Sequence, residues 1–592
     1  MRPRIGWLDH LLGALLCAGY VALLLGTSAD LAMSRDESFY VTAAQDYARW
    51  MRQLWNDPDA ALTTESIDAA WDYNHEHPGL AKALFALSWI AHENAKDGGS
   101  VGSAGSAADG RHGSAGSAAD GAAAEGAGLF ASDSDAFRFP GMLSAGLLLW
   151  LLYIFGARVF GREAGAFAAV AYALMPRPFY HAHLDCFDVP ITLALTFAVY
   201  AYWRALTSRG WIVIAGLAWG LALAVKHNSW VLPGIFLIHY VWMVLAARAR
   251  AKRDLPASAR LVTRPWWLVS LAWLGPPIFL ATWPWLWHPE TMIERFGWYA
   301  RFHVNHEYYT IAYLGRSWFE PPFPISYPFV LTAITVPLVT LAMAGVGIAM
   351  RARAMLPGFV RDRVWKNGDV EPDSPHTDVL LIGCLLAPIL MIALPSTPIF
   401  GGTKHWFPAY PFLCMYAGLG IVRATNALRH GVGARLPASR WTSRVLVSAL
   451  VIAPMLVQTV HSHPFGLSHY TPLAGGVPGA ADLGMNRQFW GFTTGSLTEY
   501  FAEQMPNGGT VYLCDMTPGA WEMLHRDGLL PRNVRWSASL TNADFVMVHH
   551  EDHFLEVELQ SWIAFGTTKP AHVLTYDGVP IITVYENPRR RR

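Results

Sequence analysis

Long apolar stretches separated by polar loops recur along the chain as far as residue 461. An α-helix rises about 1.5 Å per residue, so roughly 20 apolar residues cross the hydrocarbon core of a bilayer. The stretch 211–245 is too long for one helix and is interrupted at Lys226, so it predicts two helices and a turn. The pattern therefore predicts an α-helical polytopic membrane protein with about eleven transmembrane helices. The other predicted spans are residues 10–31, 139–156, 164–180, 187–205, 266–287, 325–350, 378–395, 406–424 and 444–461.

Basic residues are concentrated in every second loop of this scheme. Cytoplasmic loops of membrane proteins are rich in Lys and Arg, so the distribution places the N-terminus in the cytoplasm and, with an odd number of spans, the C-terminus outside it. Residues 1–32 have features of a signal peptide, but we favour a first span because further spans follow. The basic segments are residues 2–4, 158–162, 204–209, 248–264, 351–366 and 423–444.

The composition agrees with an integral protein of the inner (plasma) membrane. Hydrophobic residues make up 53% of the 592 and charged residues only 15%, whereas soluble domains contain roughly 25% charged residues. The net charge is zero, which gives no reason to expect a nucleic-acid partner. The five cysteines have no CxxC spacing, so no zinc ribbon or disulfide framework is predicted.

The first extracytoplasmic loop, residues 32–137, contains a low-complexity insertion. The nonapeptide GSAGSAADG occurs at Gly102–Gly110 and again at Gly113–Gly121. A run of Gly, Ser and Ala buries too little apolar surface to fold. We therefore predict a disordered insertion at residues 97–128 within a transmembrane domain of residues 1–465.

The pattern changes after residue 465, where predicted spans end. Short β-rich runs at residues 510–514, 543–548, 572–576 and 581–585 alternate with helical patterns, and Gly578 lies in a turn before the last run. Residues 466–592 are therefore predicted to form a small extracytoplasmic α/β domain.

Three groups of ionisable residues lie where the first loop meets the membrane, and each has a structural and a functional interpretation. Asp36 and Glu37 follow the first span. Their structural interpretation is an interfacial anchor, and their functional interpretation is a general base that accepts a proton from a hydroxyl. His77 and Lys82 precede a short amphipathic run at headgroup depth. Arg138 opens the second span, either extending to the interface or clamping a phosphate.

The order of these groups resembles the family 39 glycosyltransferases of the GT-C superfamily, which include protein O-mannosyltransferases and lipid A aminoarabinose transferases. The family pattern is an acidic pair after the first span, then His-Pro-Pro-Leu-Gly-Lys, then Phe-Arg-Leu-Pro. This chain has Asp36-Glu37, residues 77–82 and residues 137–140 at these places. The chain departs from the pattern at Gly79, Ala81 and Phe139.

The resemblance extends along most of the chain. Phe187–Pro190 is similar to the family motif at the start of the fourth span, with Asp188 as its acidic residue. Residues 216–226 and 404–411 are similar to outer-side segments of bacterial members. Residues 543–546 and 578–581 are similar to parts of their C-terminal domain.

The resemblance implies transfer of a sugar from a polyprenyl-monophosphate donor to an extracytoplasmic acceptor, with inversion at the anomeric carbon. Phosphate is a good leaving group, so such a reaction needs a base for the acceptor and cations for the departing phosphate. By the resemblance Asp36 is the base, and Glu37 positions the acceptor or the donor. The candidates for contact with the donor phosphate are Lys82, Arg138, Lys226 and Lys404.

Further candidates for substrate binding are polar and aromatic. His77, His183 and Asp188 are suited to hydrogen bonds with a sugar or a headgroup. Trp298 and Trp318 belong to an aromatic-rich segment, which either forms an interfacial belt or stacks on sugar rings.

A metal site is the alternative interpretation of one polar segment. His181, His183, Asp185 and Asp188 have the composition of a set of metal ligands. The resemblance implies no metal and no cofactor, so the segment is predicted to be interfacial and a divalent cation stays the alternative.

The sequence leaves the acceptor and the sugar open. A protein hydroxyl, lipid A or another glycolipid, and a cell-envelope glycan all fit as acceptors, and mannose or another hexose or pentose fits as the sugar. Two other function classes also fit a polytopic chain. A transporter of lipid-linked or small solutes usually has repeated halves, and we find none in this sequence. A non-catalytic scaffold that binds polyprenyl phosphate would not depend on Asp36.

Overall fold

The computed structural model describes residues 5–97, 128–251, 264–355, 374–431 and 440–591. Most of the predicted insertion at 97–128, most of the basic segments at 248–264 and 351–366, and residues 432–439 of the basic segment at 423–444 lie outside the described residues.

Helices dominate the chain up to residue 462, and each predicted span coincides with a helix or a pair of helices. The helices that precede the first hairpin are α1 (Trp7–Thr27), α2 (Arg35–Asn56), α3 (Pro58–Ala61), α4 (Thr64–Trp71), α5 (Leu80–Lys96), α6 (Asp133–Phe160), α7 (Arg162–Ala173), α8 (Pro176–His181), α9 (Asp188–Ala205), α10 (Gly210–Val225), α11 (Leu232–Ala251), α12 (Trp266–Ala281) and α13 (Met292–Val304). A hairpin, β1 (Ile311–Tyr313) and β2 (Arg316–Trp318), precedes α14 (Tyr327–Thr335), α15 (Leu338–Met355), α16 (Ser374–Ile392), α17 (Tyr410–Gly431) and α18 (Arg440–Ser462).

Among the described residues, four helices are long and apolar enough to cross a membrane: Trp7–Asp30, Asp133–Phe160, His227–Ala246 and Thr442–Ser462. The pair α14 and α15 adds a fifth if it is one span bent by 113°. Three of the remaining predicted spans contain apolar helices of only 10–17 residues, at Gly210–Val225, Trp266–Ala281 and His376–Ile392. Another is divided where Pro176 begins α8. The chain is thus mainly helical with four or five candidate spans, and the number of about eleven stays a prediction.

The first two long helices pack closely through small residues. A Cβ atom added at Gly146 of α6 would lie 2.8 Å from Cys17 Sγ of α1. At one end of this pair Arg162 donates to both carboxylate oxygens of Asp9, at 2.6 and 2.9 Å. Close backbone approach therefore holds α1 against α6. The ion pair joins the buried Asp9 of α1 to the half-exposed Arg162, which is the first residue of α7.

The C-terminal region contains five strands: β3 (Gly509–Leu513), β4 (Val534–Ser537), β5 (Phe545–His549), β6 (His572–Tyr576) and β7 (Val579–Glu586). They form a mixed sheet in the order β4-β3-β5-β7-β6. Strands β3 and β4 are parallel, as are β3 and β5, and β7 is antiparallel to β5 and β6. Four strands coincide with the predicted β-rich runs, and β4 was not predicted. The helices of the C-terminal region are α19 (Gly476–Asp482), α20 (Thr498–Gln504), α21 (Pro518–Arg526) and α22 (Leu555–Phe565).

Candidate functional site

A cavity of about 620 Å³ lies where the first loop, a 3-10 helix at Gly402–Ala409 and the C-terminal region meet. Its wall carries charged, histidine and aromatic side chains from segments far apart in the sequence. The wall residues used below are Arg35, Asp36, Glu76, His77, Lys226, His227, His303, His306, Phe400, Gly401, Lys404, His405, Phe489, Trp490, Glu551 and His553.

Asp36 is the carboxylate that the start of α2 presents to this cavity. Its Oδ2 lies 3.2 Å from Lys404 Nζ, and its Oδ1 lies 3.5 Å from Arg35 Nε. The Asp36 side chain is 18% exposed. Lys404 also lies 4.1 Å from the centre of the Trp490 ring. The carboxylate is therefore oriented by two cations and remains within reach of a substrate.

A second ion pair lies on the same wall. Lys226, which follows α10, is 2.9 Å from Oδ1 of Asp188, the first residue of α9. Oδ2 of Asp188 lies 3.3 Å from His181 Nδ1. The structure thus brings Asp36, Lys226 and Lys404 to one cavity, with Asp188 behind Lys226.

Glu37 and Arg138 are directed away from this cavity and bond to each other. Arg138 Nε and Nη2 lie 2.7 and 3.0 Å from the two oxygens of Glu37, and both side chains are buried. Arg138 also donates to the carbonyl oxygens of Leu31 and Ala32, and Glu37 accepts from the Ser34 N–H at 2.8 Å. Burial raises the pKa of Glu37, but the Arg138 charge and the hydrogen bonds from Arg138 and the Ser34 N–H together hold it below its usual value. With its donors engaged and no contact with the cavity, Arg138 fixes the start of α2 rather than facing a phosphate.

Lys82 is also buried and engaged. Its Nζ donates to the carbonyl oxygens of Asn74 and His77, at 2.5 and 3.1 Å, and lies 5.4 Å from the centre of the Tyr47 ring. Burial lowers the pKa of Lys82 to about 7. The lysine therefore holds the loop that places His77 on the cavity wall, instead of reaching the cavity itself.

Three further predicted residues lie elsewhere. His183 is buried and bonds to Thr27 Oγ1 and the Phe179 carbonyl. Trp298 packs on the rings of His75 and Phe302. Trp318, on β2, lies under the guanidinium of Arg316, 4.2 Å from the ring centre. None of the three lines the 620 Å³ cavity, and Trp318 lies instead on a separate cavity of about 660 Å³.

The C-terminal region contributes directly to the cavity wall. Asp515 and Glu551 follow β3 and β5, two adjacent parallel strands, and Arg35 Nη1 lies 2.5 Å from Asp515 Oδ1. Burial raises the pKa of Asp515 to about 6. Burial, and then the neighbouring Asp515 charge, raise the pKa of Glu551 well above its usual range. Arg35 thus joins this acidic pair to Asp36, its neighbour in sequence.

A second, mainly apolar cavity of about 530 Å³ adjoins the first and shares part of its wall. The shared residues are His227, His303, His306, Phe400 and His405. The rest of its lining comes largely from apolar residues near α11, α13 and α16. A polar cavity and an apolar groove therefore meet at a cluster of histidines, where His227 stacks on His303 at 3.8 Å.

The metal-like segment does not converge on one point. His181 faces Asp188, His183 faces Thr27, and the Asp185 N–H points to Glu37 at 3.5 Å. In the described ranges, no group of three or more His, Cys, Asp or Glu residues is arranged to hold a metal ion.

Residues 122–273 match the family of dolichyl-phosphate-mannose-protein mannosyltransferases. The chain resembles the family 39 glycosyltransferases. This match confirms the resemblance seen in the motifs and, with the apolar helices, supports a membrane glycosyltransferase of the GT-C type. No curated protein matches the chain.

The solved structures to which the chain is similar include two of ArnT from Cupriavidus metallidurans. The apo form is 15% identical with a TM-score of 0.43, and the form bound to undecaprenyl phosphate is 15% identical with a TM-score of 0.42. Each comparison covers 96% of this chain and 97% of the ArnT chain. The oligosaccharyltransferase AglB from Archaeoglobus fulgidus, in complex with an inhibitory peptide and a dolichol-phosphate, is 12% identical with a TM-score of 0.44, covering 95% of this chain and 72% of that one.

The sequence interpretation did not include several wall residues. These residues lie in segments whose patterns indicate an interfacial belt, a loop or a soluble domain. They are His303, His405, Trp490 and Glu551. Only their long-range packing brings them beside Asp36. The sequence contained one indication of the histidines. They recur near the ends of predicted spans, where an ionisable side chain is costly and therefore indicates a function.

Proposed function

We propose that the protein transfers a sugar from a polyprenyl monophosphate to an acceptor hydroxyl on the extracytoplasmic side of the inner membrane, with inversion at the anomeric carbon. The observation that carries the proposal is Asp36 beside Lys404, in a polar cavity that joins an apolar groove. The polar cavity suits a sugar phosphate and an acceptor, and the groove suits an isoprenoid chain.

The reaction follows from this arrangement. Asp36 accepts the proton of the acceptor hydroxyl as its oxygen attacks the anomeric carbon. The bond between that carbon and the phosphate oxygen breaks, and its electron pair stays on the phosphate. Lys226 and Lys404 stabilise the charge of the departing polyprenyl phosphate. A single displacement of this kind inverts the anomeric carbon.

Two similarities support the choice of donor. The family match is to transferases that use dolichyl phosphate mannose, and the ArnT structure was solved with undecaprenyl phosphate. We propose that the C-terminal region, which places Glu551 and His553 on the cavity wall, lies outside the cytoplasm with the acceptor. In this proposal Glu37, Arg138 and Lys82 position the catalytic wall. His77 borders the substrate, and Asp188 orients Lys226 from behind the wall.

The test is consumption of a radiolabelled polyprenyl-monophosphate sugar by the purified full-length protein, with and without a chelator. Wild type should release or transfer the sugar, and Asp36→Asn should not. Asp59→Asn, an exposed aspartate of the same loop, is the matched control and should behave as wild type. If wild type consumes no such donor, the proposal is wrong and the transporter and scaffold interpretations replace it.

A further inference from the structure

The charged groups around Asp36 continue into the C-terminal region through Arg35. Arg35 Nη1 lies 2.5 Å from Asp515 Oδ1, and its Nε lies 3.5 Å from Asp36 Oδ1. Arg35 and Asp36 are neighbours in the first turn of α2, so a contact that fixes the Arg35 guanidinium also fixes the surroundings of Asp36. One arginine thus connects the proposed base to a carboxylate of the C-terminal sheet.

Asp515 and Glu551 lie side by side at one edge of that sheet. They follow β3 and β5, which are adjacent parallel strands, and their carboxyl groups interact directly. Asp515 Oδ2 and Glu551 Oε1 are both buried and have no hydrogen-bond partner among the groups that the structure describes. Two ionised carboxylates in contact repel each other, and each buried oxygen would lack a donor. A single proton held between them removes both costs, because a protonated carboxyl group donates to its neighbour.

Arg35 supplies the positive charge that faces this acidic pair. The titratable and charged groups that face the pair from the described elements are Arg35 and Asp36 of α2, Cys514 after β3, His549 of β5, and Asp552 and His553 of the 3-10 helix Asp552–Phe554. His549 Nδ1 accepts the Asp515 N–H at 3.3 Å, and burial lowers the pKa of His549 to about 3. Burial also lowers the pKa of His553. Both imidazoles are therefore neutral near pH 7, and the protonation of the pair itself decides the charge that Arg35 meets.

One shared proton balances the charges of this cluster. The pair then carries one negative charge and Asp36 carries another, while Arg35 and Lys404 each carry a positive charge. Loss of the shared proton would leave the cluster with a net negative charge facing an anionic donor. Gain of a second proton would leave Arg35 without a charged partner at Asp515. The singly protonated pair is therefore the state in which Arg35 is shared between Asp515 and Asp36.

A tight turn connects Asp515 to the second cation beside Asp36, which is Lys404. Gly491 has a left-handed backbone with φ of 59°, and a Cβ atom there would lie 1.7 Å from the Asp515 carbonyl oxygen. The preceding residue, Trp490, accepts the Arg35 N–H at 3.0 Å, and its ring centre lies 4.1 Å from Lys404 Nζ. Both cations beside Asp36 therefore contact a turn that packs directly on the backbone of Asp515.

We propose that Asp515 and Glu551 share one proton and, through Arg35, orient Asp36 and set the charge that an anionic donor meets in the cavity. Both are positioning residues, because they act on the reaction through Arg35 and Asp36. The proposal rests on the proposed function and deepens it, since it makes the C-terminal region a part of the catalytic machinery. The competing explanation is a docking contact, in which the acidic pair only fastens the C-terminal region to α2.

The first experiment measures kcat and the KM for a polyprenyl-monophosphate sugar across the pH range from weakly acidic to alkaline, with the full-length protein in detergent. Asp515→Asn and Glu551→Gln each keep the shape of the pair, with one carboxylate and an amide N–H in place of the shared proton. Both variants should retain most of the turnover at pH 7. The wild-type KM should rise on the alkaline side as the shared proton is lost, and this rise should be reduced in both variants, which have no shared proton to lose.

A double variant and a control separate positioning from docking. Asp515→Asn combined with Glu551→Gln removes the negative charge that Arg35 meets, so kcat at pH 7 should fall about tenfold. Glu522→Gln, at an exposed glutamate of α21, should keep the wild-type pH profile. Thermal unfolding is measured on the same preparations. A lower unfolding temperature with a wild-type pH profile, in either single variant that folds, would assign the pair to docking and overturn the proposal.

An infrared difference spectrum tests the shared proton without any substrate. Wild type minus either single variant at pH 7 should show the C=O stretch of one protonated carboxyl group, because each variant leaves one ionised carboxylate. If this band is absent while wild type transfers sugar, the acidic pair is wrong and the proposed function stands. If the band is present but wild type consumes no polyprenyl-linked sugar, the shared proton stands and the proposed function is wrong.

Discussion

Asp36 and Glu37 are adjacent carboxylates with opposite surroundings. Asp36 lies on the wall of a cavity next to Lys404, and its side chain is 18% exposed. Glu37 is fully buried and is held by two charged hydrogen bonds from Arg138. Successive residues of a helix point in directions about 100° apart, so one turn of α2 supplies both a reactive group and its support. The site therefore consists of a substrate-facing wall and a buried polar network behind it.

The largest expected effect is a loss of turnover when Asp36 on the cavity wall is replaced. Asp36→Asn removes the base but keeps the shape of the side chain, so kcat for sugar transfer should fall by about 10²–10⁴-fold. The unfolding temperature should change little, because Asp36 is partly exposed and is not part of the buried network. The two measurements are single-turnover transfer and thermal unfolding of the same preparation. Near-normal turnover would remove Asp36 from the role of base.

A substitution in the buried network should instead lower the stability of the protein. Glu37→Gln leaves the Arg138 charge buried without its partner, which should cost about 3–5 kcal/mol of unfolding free energy. The double variant Glu37→Gln with Arg138→Met should recover part of this loss, because it removes the unpaired charge. Denaturant unfolding in detergent measures both. Loss of transfer at unchanged stability would instead support the sequence-based hypothesis that Glu37 positions a substrate.

The sequence predicted the helices, most strands and the residues of the cavity wall better than it predicted the buried polar network. Apolar length located the helices, and β-rich runs located four of the five C-terminal strands. The strand β4 was missed because it is short and half exposed, with Arg535 in its middle. Motif order brought attention to Asp36, Lys226 and Lys404, which do share a cavity.

The sequence could not predict whether a buried cation faces the cavity or bonds to other groups of the protein. Lys82 and Arg138 have the positions of phosphate ligands in the family pattern, yet each is engaged by backbone or carboxylate oxygens, which for Arg138 come from residues about 100 positions away. Whether a cation is engaged or free depends on the partners that long-range packing supplies, which local pattern does not contain.

A smaller effect concerns the link between the wall and the C-terminal region. Burial raises the pKa of Asp515 to about 6, above the usual value near 3.8 for an unfolded chain. The folded state then binds more protons than the unfolded state between these values, so this group stabilises the protein at low pH and loses that contribution as the pH rises towards and above 6. The change is on the order of 2–3 kcal/mol.

Comparison of wild type with Asp515→Asn isolates this group from the other carboxylates. The difference in unfolding free energy between the two proteins should vary across pH 4–7, with wild type losing stability relative to the variant as the pH rises. A constant difference across this range would show that Asp515 does not titrate there. The same series on transfer activity would show whether protonation of the acidic pair reaches Asp36 through Arg35.

The smallest expected effect is a loss of donor affinity when Lys404 on the cavity wall is replaced. Lys404→Met removes a cation that is shared between Asp36 and the proposed phosphate site, so affinity for polyprenyl monophosphate should fall about tenfold. Lys404→Arg should restore part of it, because a guanidinium also donates to phosphate. Lys569→Met, an exposed lysine of the C-terminal region, should leave affinity unchanged. If Lys404→Met lowers turnover without changing affinity, Lys404 serves Asp36 rather than the donor, and the phosphate contact on the wall falls to Lys226.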